Sequence, residues 1–168
     1  MLYNDTKTLL KRAKEIAKNC DMAKAHVEQV KAILQKYAGK SITGNKKRFT
    51  EAIQAINKDL YARIDWDEYR GADLSVYWWD RGYNYTEKAK FYILQYHTAK
   101  DNTFNIDKIF ADIARCVEYL EKRKARALYT AKNATKIDIM VSAMREKIRD
   151  LQLKTDNEII EMAGIRFN

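Results

Sequence analysis

Apolar and small residues recur along the first part of the chain at Leu9, Ala13, Ile16, Cys20, Ala23, Val27, Val30, Leu34 and Tyr37, in steps alternating between four and three. This heptad rhythm predicts a helix over 5–38 with one seam packed lengthwise on a partner. At the α-helical rise it would be about 50 Å long. Asn4 or Asp5 is placed to cap its start and Gly39 to end it. After a loop over 39–45, Phe49, Ile53, Ile56 and Leu60 mark one face of a second helix over 46–63. Residues 5–63 therefore read as an antiparallel helical hairpin.

The rhythm then changes. Leu74 to Trp79 and Lys90 to His97 are rich in β-branched and aromatic residues, and the turn-forming stretch Asp80 to Thr86 lies between them. A two-stranded β-hairpin is expected around 74–97 within an aromatic insert spanning 64–104. A helix over 87–99 is the alternative. Neither Gly nor Pro interrupts 105–163. Ile106, Phe110, Ile113, Val117 and Leu120 form one helical seam, and Ile137, Val141, Met144, Ile148 and Leu151 form another. Continuing the first register would place Asp138 on the seam, so the two are out of phase. This demands either a break near 132–135, the preferred reading, capped by Asn133 or Thr135, or a local stammer in one long helix; a short terminal helix after Asp156 ending at Gly164 is also expected. The fold class is mainly α: one domain over 1–168, a long-helix bundle with coiled-coil-like antiparallel packing and a small aromatic β-hairpin insert.

Composition adds a charge map. The net charge is +9, distributed as +8 over 1–50 (twelve basic, four acidic), −2 over 51–110 (eight, ten) and +3 over 111–168 (twelve, nine). A basic first third draws polyanions. Lys7, Lys11, Lys14 and Lys18 line the face opposite the first seam, spaced to meet successive phosphates. Lys46, Lys47 and Arg48 open the second helix, where free backbone N–H groups also favour anions. The bland reading of the same lysines is a solvated outer face. In the cluster Lys122, Arg123, Lys124 and Arg126, Lys122 is spaced for an ion pair with Glu118.

Eleven of the nineteen aromatic residues lie between Tyr61 and Tyr96, including Trp66, Trp78 and Trp79. An isolated hairpin is unstable, so part of this island must be core; Trp66, Trp78 and Leu94 are expected to be buried. Tyr77, Tyr83, Tyr85 and Tyr92, beside Arg70 and Arg81, are the candidates for stacking on unpaired bases or for docking a protein partner.

Other chemistry finds little support. Gly39-Lys40-Ser41 resembles the end of a P-loop, but its first glycine would fall on Leu34 and the motif follows a helix. Asp65 and Asp67 form a D-x-D pattern that a metal-dependent enzyme would use, though a short acidic turn explains it as well. His26 and His97 have no Cys or carboxylate partners at zinc spacing. Cys20 and Cys116 sit in apolar patterns and read as buried thiols of a reducing compartment. The longest apolar runs have four residues, so no membrane span or leader is expected, nor any cofactor. Abundant Lys, Ile, Asn and Tyr suggest an AT-rich genome.

The expectation is a non-enzymatic, cytoplasmic, basic helical protein that binds nucleic acid or a protein–nucleic acid complex, of the kind phages and mobile elements encode as accessory factors. The alternative is a protein–protein interaction module or inhibitor docking through its Tyr/Trp surface. A metal enzyme using Asp65 and Asp67 comes last. A homodimer through the first helix is a further way to cover its seam.

Overall fold

The computed structural model describes residues 6–80 and 89–162. The elements are α1 (Thr6–Ala25), α2 (Val27–Lys36), a 3-10 turn (Thr43–Asn45), α3 (Lys46–Ile56), β1 (Leu60–Asp67), β2 (Gly71–Asp80), β3 (Ala89–Ala99), α4 (Ile106–Lys132) and α5 (Ala134–Met162). The protein is mainly helical, with one small three-stranded antiparallel sheet in the order β1-β2-β3. The chain divides into two compact units, 14–128 and 1–13 with 129–168.

The larger unit holds the core. From α1 and α2 it takes Cys20, Ala23, Val27, Val30 and Leu34, which are the expected first seam. The helix loosens for one residue at His26, but Val30 N still donates to His26 O at 2.9 Å. The His26 ring stacks on Trp78 with centroids 5.5 Å apart and planes 7° from parallel, bringing the α1–α2 junction onto the sheet. α4 adds Ile109, Ile113 and Leu120. Ion pairs of Lys24 with Glu121 and of Lys124 with Asp21 (2.7 Å) tie α1 to α4. Arg123 donates to Lys90 O at 2.9 Å, and its Cζ lies 4.0 Å from the Phe91 ring centroid, clamping α4 to the start of β3.

Gly39 (φ +71) lies just beyond α2 and turns the chain, and its N–H donates to Phe104 O at 3.0 Å. Asn102 pins the next loop: its carbonyl accepts from Ile42 N and its Oδ1 from Thr43 N. Beneath this junction Phe49 packs against Tyr37 and Phe104, at 5.5 and 5.3 Å between ring centroids.

Several expectations are corrected. The second helix ends at Ile56, Asn57 turns extended (φ −159, ψ 138), and the chain enters a strand. Leu60 continues the helical spacing of Phe49, Ile53 and Ile56, yet it also starts the alternation of buried Leu60 and Ile64 with outward Tyr61 and Arg63. Pairing with β2 decides for the strand, with Leu60 opposite Trp78 and Ile64 opposite Leu74. The insert is thus three strands rather than two; β2 and β3 contain the expected hairpin segments, excluding the helix over 87–99 in the described part. Trp66 is 54 % exposed rather than buried, because it sits beyond the last covered inward position of edge strand β1. Trp78 and Leu94 are buried as expected.

The break near 132–135 falls at Asn133, but Asn133 is no N-cap. Its backbone N–H and its side-chain Nδ2 both donate back to Tyr129 O, and Ile137 N donates to Asn133 O. No separate helix starts after Asp156: α5 continues to Met162. Gly164 lies outside the described residues. In α5 the expected seam residues Met144, Ile148 and Leu151 are each more than half exposed.

Candidate functional site

Strand alternation sends Leu60, Ile64, Leu74, Val76, Trp78, Phe91 and Ile93 into the core, and the register shift between Tyr92 and Leu94 buries Leu94 as well. The residues between them form the opposite sheet face. Tyr61, Tyr77 and Tyr92 are direct cross-strand partners, one on each strand, and make a row across the whole sheet. Tyr61 stacks on Tyr77 (6.1 Å, 17°), and Tyr92 meets Tyr77 edge to face (5.6 Å, 60°). Trp79 extends the surface along β2, with its ring 5.8 Å from Tyr77 and 6.3 Å from Tyr61. Tyr96 extends it along β3, 5.9 Å from Tyr92. Five rings form one connected aromatic cluster; Tyr96 is its exposed member, whereas Tyr77, expected at the surface, is buried beneath its neighbours. Cross-strand aromatic pairs of this kind also hold the sheet together.

Charge is built into this surface. Lys90 lies opposite Trp79, and its ammonium sits 4.5 Å from the Tyr77 ring centroid and 5.2 Å from that of Trp79. Such cation–π contacts hold a cation flat on the aromatic face. Arg63, on β1, pairs with Asp65 at 2.5 Å and is near enough to Tyr77 and Tyr92 to favour their ionised forms. Desolvation outweighs that and pushes the Tyr77 phenol up. For Tyr92, desolvation together with a hydrogen bond to the Tyr96 hydroxyl raises the phenol to about 12. The Tyr77 and Tyr92 phenols are therefore neutral at physiological pH.

A bulge shapes the β3 end. Register shifts occur around Val76, and Tyr96 adopts a left-handed conformation (φ +48) while its N–H donates to the buried Ser75 hydroxyl at 3.1 Å. A bulky residue at positive φ is a true outlier, and such strain concentrates at functional positions.

The predicted candidates distribute unevenly. Tyr77 and Tyr92 form the middle and one end of the tyrosine row. Arg70 is exposed in the β1–β2 turn, where its N–H donates to Asp67 Oδ1 and its guanidinium lies 3.6 Å from Asp67. Arg81, Tyr83 and Tyr85 lie outside the described residues. Lys7, Lys11, Lys14 and Lys18 are exposed on α1, and Lys46, Lys47 and Arg48 are exposed at the start of α3. Because the α1 seam and the sheet's inner face share one core, the Lys14–Lys18 stretch and the aromatic face are separate surfaces. Tyr61, Arg63, Trp79 and Tyr96 were not singled out by the sequence. The alternation of Leu60 to Asp65 was the signal for β1, masked by the helical spacing that runs into Leu60.

The remaining candidates take structural roles. Asp67 accepts hydrogen bonds from the N–H groups of Tyr69 and Arg70, which hold its carboxyl below the usual range, and it closes the β1–β2 turn. Asp65 is paired with Arg63. Burial pushes up the thiols of Cys20 and Cys116, opposite to what a nucleophile needs. Among the described residues no group of three or more His, Cys, Asp or Glu is placed to hold a metal ion, and no helix is long and apolar enough to cross a membrane. No protein-family model, curated protein or solved structure matches the chain.

Proposed function

We propose that this protein binds single-stranded nucleic acid on the outer face of its sheet, as a cytoplasmic, non-enzymatic accessory factor. The observation that carries the reading is the tyrosine row crossing all three strands, extended by Trp79 and Tyr96 and seated beside Lys90 and Arg63. Unpaired bases stack on such rings whatever their sequence, while cations beside them follow the phosphates. A duplex keeps its base faces stacked internally and offers nothing to this platform. Lys14 and Lys18 on α1 and the basic start of α3 lie off the platform and serve to attract the polyanion at long range.

The test is fluorescence anisotropy with single- and double-stranded DNA and RNA over a salt series. Single strands should bind more tightly than duplexes, with an affinity that falls as salt rises. Tyr92→Ala should weaken single-strand binding by about 10-fold, the order expected for losing one stacked base. Absence of binding at low salt, or binding indifferent to Tyr61→Ala and Tyr92→Ala, overturns the reading.

A second reading has its own observation. On α5, Met140, Val141, Met144, Ile148 and Leu151 carry exposures from 36 % to 62 % along a 29-residue helix. A heptad seam of this length suits a second copy of the chain, so the coiled-coil-like packing expected from sequence would form between protomers. Sedimentation equilibrium should then show a dimer that Met144→Lys with Ile148→Lys dissociates. A wild-type monomer at all concentrations would refute it.

A further inference from the structure

A cavity of about 350 Å³ opens where the aromatic surface meets α4. Its volume falls at the small end of the range for ligand pockets. β3 contributes Tyr92, Gln95 and Tyr96 to its walls, and α4 contributes Asp112, Arg115 and Tyr119. Tyr92 and Tyr96 belong to both the cavity and the platform, so a chain lying on the platform has a pocket at its end.

Two walls are aromatic and wet. Tyr96 is 61 % exposed and Tyr119 is 56 % exposed, and they reach the cavity from different elements. Exposed rings that line one cavity from two different elements suit a flat, aromatic guest. The Tyr96 backbone reinforces the point: a tyrosine held at φ +48 is a strained conformation of the kind that collects at binding sites. The buried Ser75 hydroxyl maintains that conformation by accepting the Tyr96 N–H.

The polar wall is held in place from behind. Asp112 Oδ2 is 2.7 Å from Nδ1 of His97, which is only 4 % exposed, and Asp112 Oδ1 is 3.1 Å from Arg115 Nη2. A carboxylate offers about four acceptor positions, so roughly two remain, one on each oxygen. The Arg115 side chain is 77 % exposed and has N–H groups to spare. A carboxylate fork therefore stands beside a guanidinium. Among the common bases only guanine presents two parallel N–H donors, at N1 and N2, next to an acceptor, O6. Arginine is also the usual partner of the guanine O6 and N7 acceptors. Cys116, whose thiol burial pushes up, lies in the wall as an inert group.

We infer that this cavity is a guanine-selective base pocket, in which one base of the bound single strand enters beside Tyr96 and Tyr119 and is read by Asp112 and Arg115. The inference rests on the proposed single-strand binding and adds to it a preference at one position of the strand.

The experiment uses the full chain and four pyrimidine-rich oligonucleotides, identical except for G, A, C or U at the central position. Anisotropy is read for wild type, Tyr119→Ala, Arg115→Ala and Tyr61→Ala, with circular dichroism confirming that each variant is folded. The G oligonucleotide should bind about 10-fold more tightly than the others, the scale of one good base readout. Tyr119→Ala and Arg115→Ala should erase that margin, whereas Tyr61→Ala should weaken all four equally. Equal binding of the four, a preference for another base, or a guanine preference that survives both pocket variants overturns the pocket while leaving the platform standing. Absence of binding to all four overturns the platform and the pocket together.

Discussion

Gly71 is the position where a single methyl group should do most harm to the sheet. It opens β2 at φ +94, opposite Asp67 and next to the Ala72–Ala99 pair. A Cβ there would stand 2.4 Å from Ala99 O and 2.7 Å from Lys100 Cα. Both neighbours are backbone, so the end of β3 must move by about an ångström to restore a normal contact. The positive φ alone costs about 1–3 kcal/mol for a residue with a side chain. Adding the displaced strand end brings Gly71→Ala to about 3–5 kcal/mol, near the upper limit of ordinary single substitutions. Gly39→Ala is the natural control: its φ is +71, but nothing lies within 4 Å of the added Cβ. It should cost only the conformational part, about 1–2 kcal/mol. Urea unfolding followed by tryptophan fluorescence measures both, since all three tryptophans belong to the unit that carries the sheet. If Gly71→Ala costs no more than Gly39→Ala, the close approach of β2 to the end of β3 is refuted.

Three further outcomes are expected. Phe49→Ala removes a fully buried ring from between Tyr37 and Phe104 and should cost about 3–5 kcal/mol in the same urea assay; a loss below about 1 kcal/mol would mean that the junction is not packed as described. Tyr92, with its folded pKa raised from 10.0 to about 12, favours folding in its neutral form; that stabilisation is complete below pH 10.0 and is lost as pH rises through about 12. Alkaline unfolding should therefore be less steep in Tyr92→Phe, and an unchanged pH profile would refute the linkage. Lys14→Glu with Lys18→Glu should slow association with single strands and leave dissociation unchanged in stopped-flow traces, because these charges lie off the stacking surface; faster dissociation would place the lysines in the contact itself.

Much of the helical scaffold was legible because a heptad seam reports burial along a single element. Cys20, Ala23, Val27, Val30 and Leu34 could be assigned to a core face from their spacing alone, and so could Ile113 and Leu120. β1 was not legible, because Leu60 satisfies the 3.6-residue period of the preceding helix and the two-residue period of a strand equally well. Trp66 was misjudged for a related reason: ring size argues for burial, but an inward position at the end of an edge strand has nothing above it. The aromatic surface was half legible. Tyr77 and Tyr92 stood out as tyrosines of an aromatic island, whereas their alignment with Tyr61 depends on a cross-strand register that no local pattern encodes.

The sequence by itself determined that helical segments flank an extended aromatic insert, the apolar seams and the concentration of positive charge at the front of the chain, all of which are periodic or additive along the backbone. Only the tertiary structure decided which partner each seam meets, that Met144, Ile148 and Leu151 on α5 are exposed, and that Tyr61, Tyr77 and Tyr92 stand in one row. It alone placed Asp112 and Arg115 beside Tyr96. These outcomes depend on contacts between segments far apart in the chain, where pairing register, a bulge at Ser75 and Tyr96, and the ion pairs of Asp112 select one arrangement among many with the same local pattern.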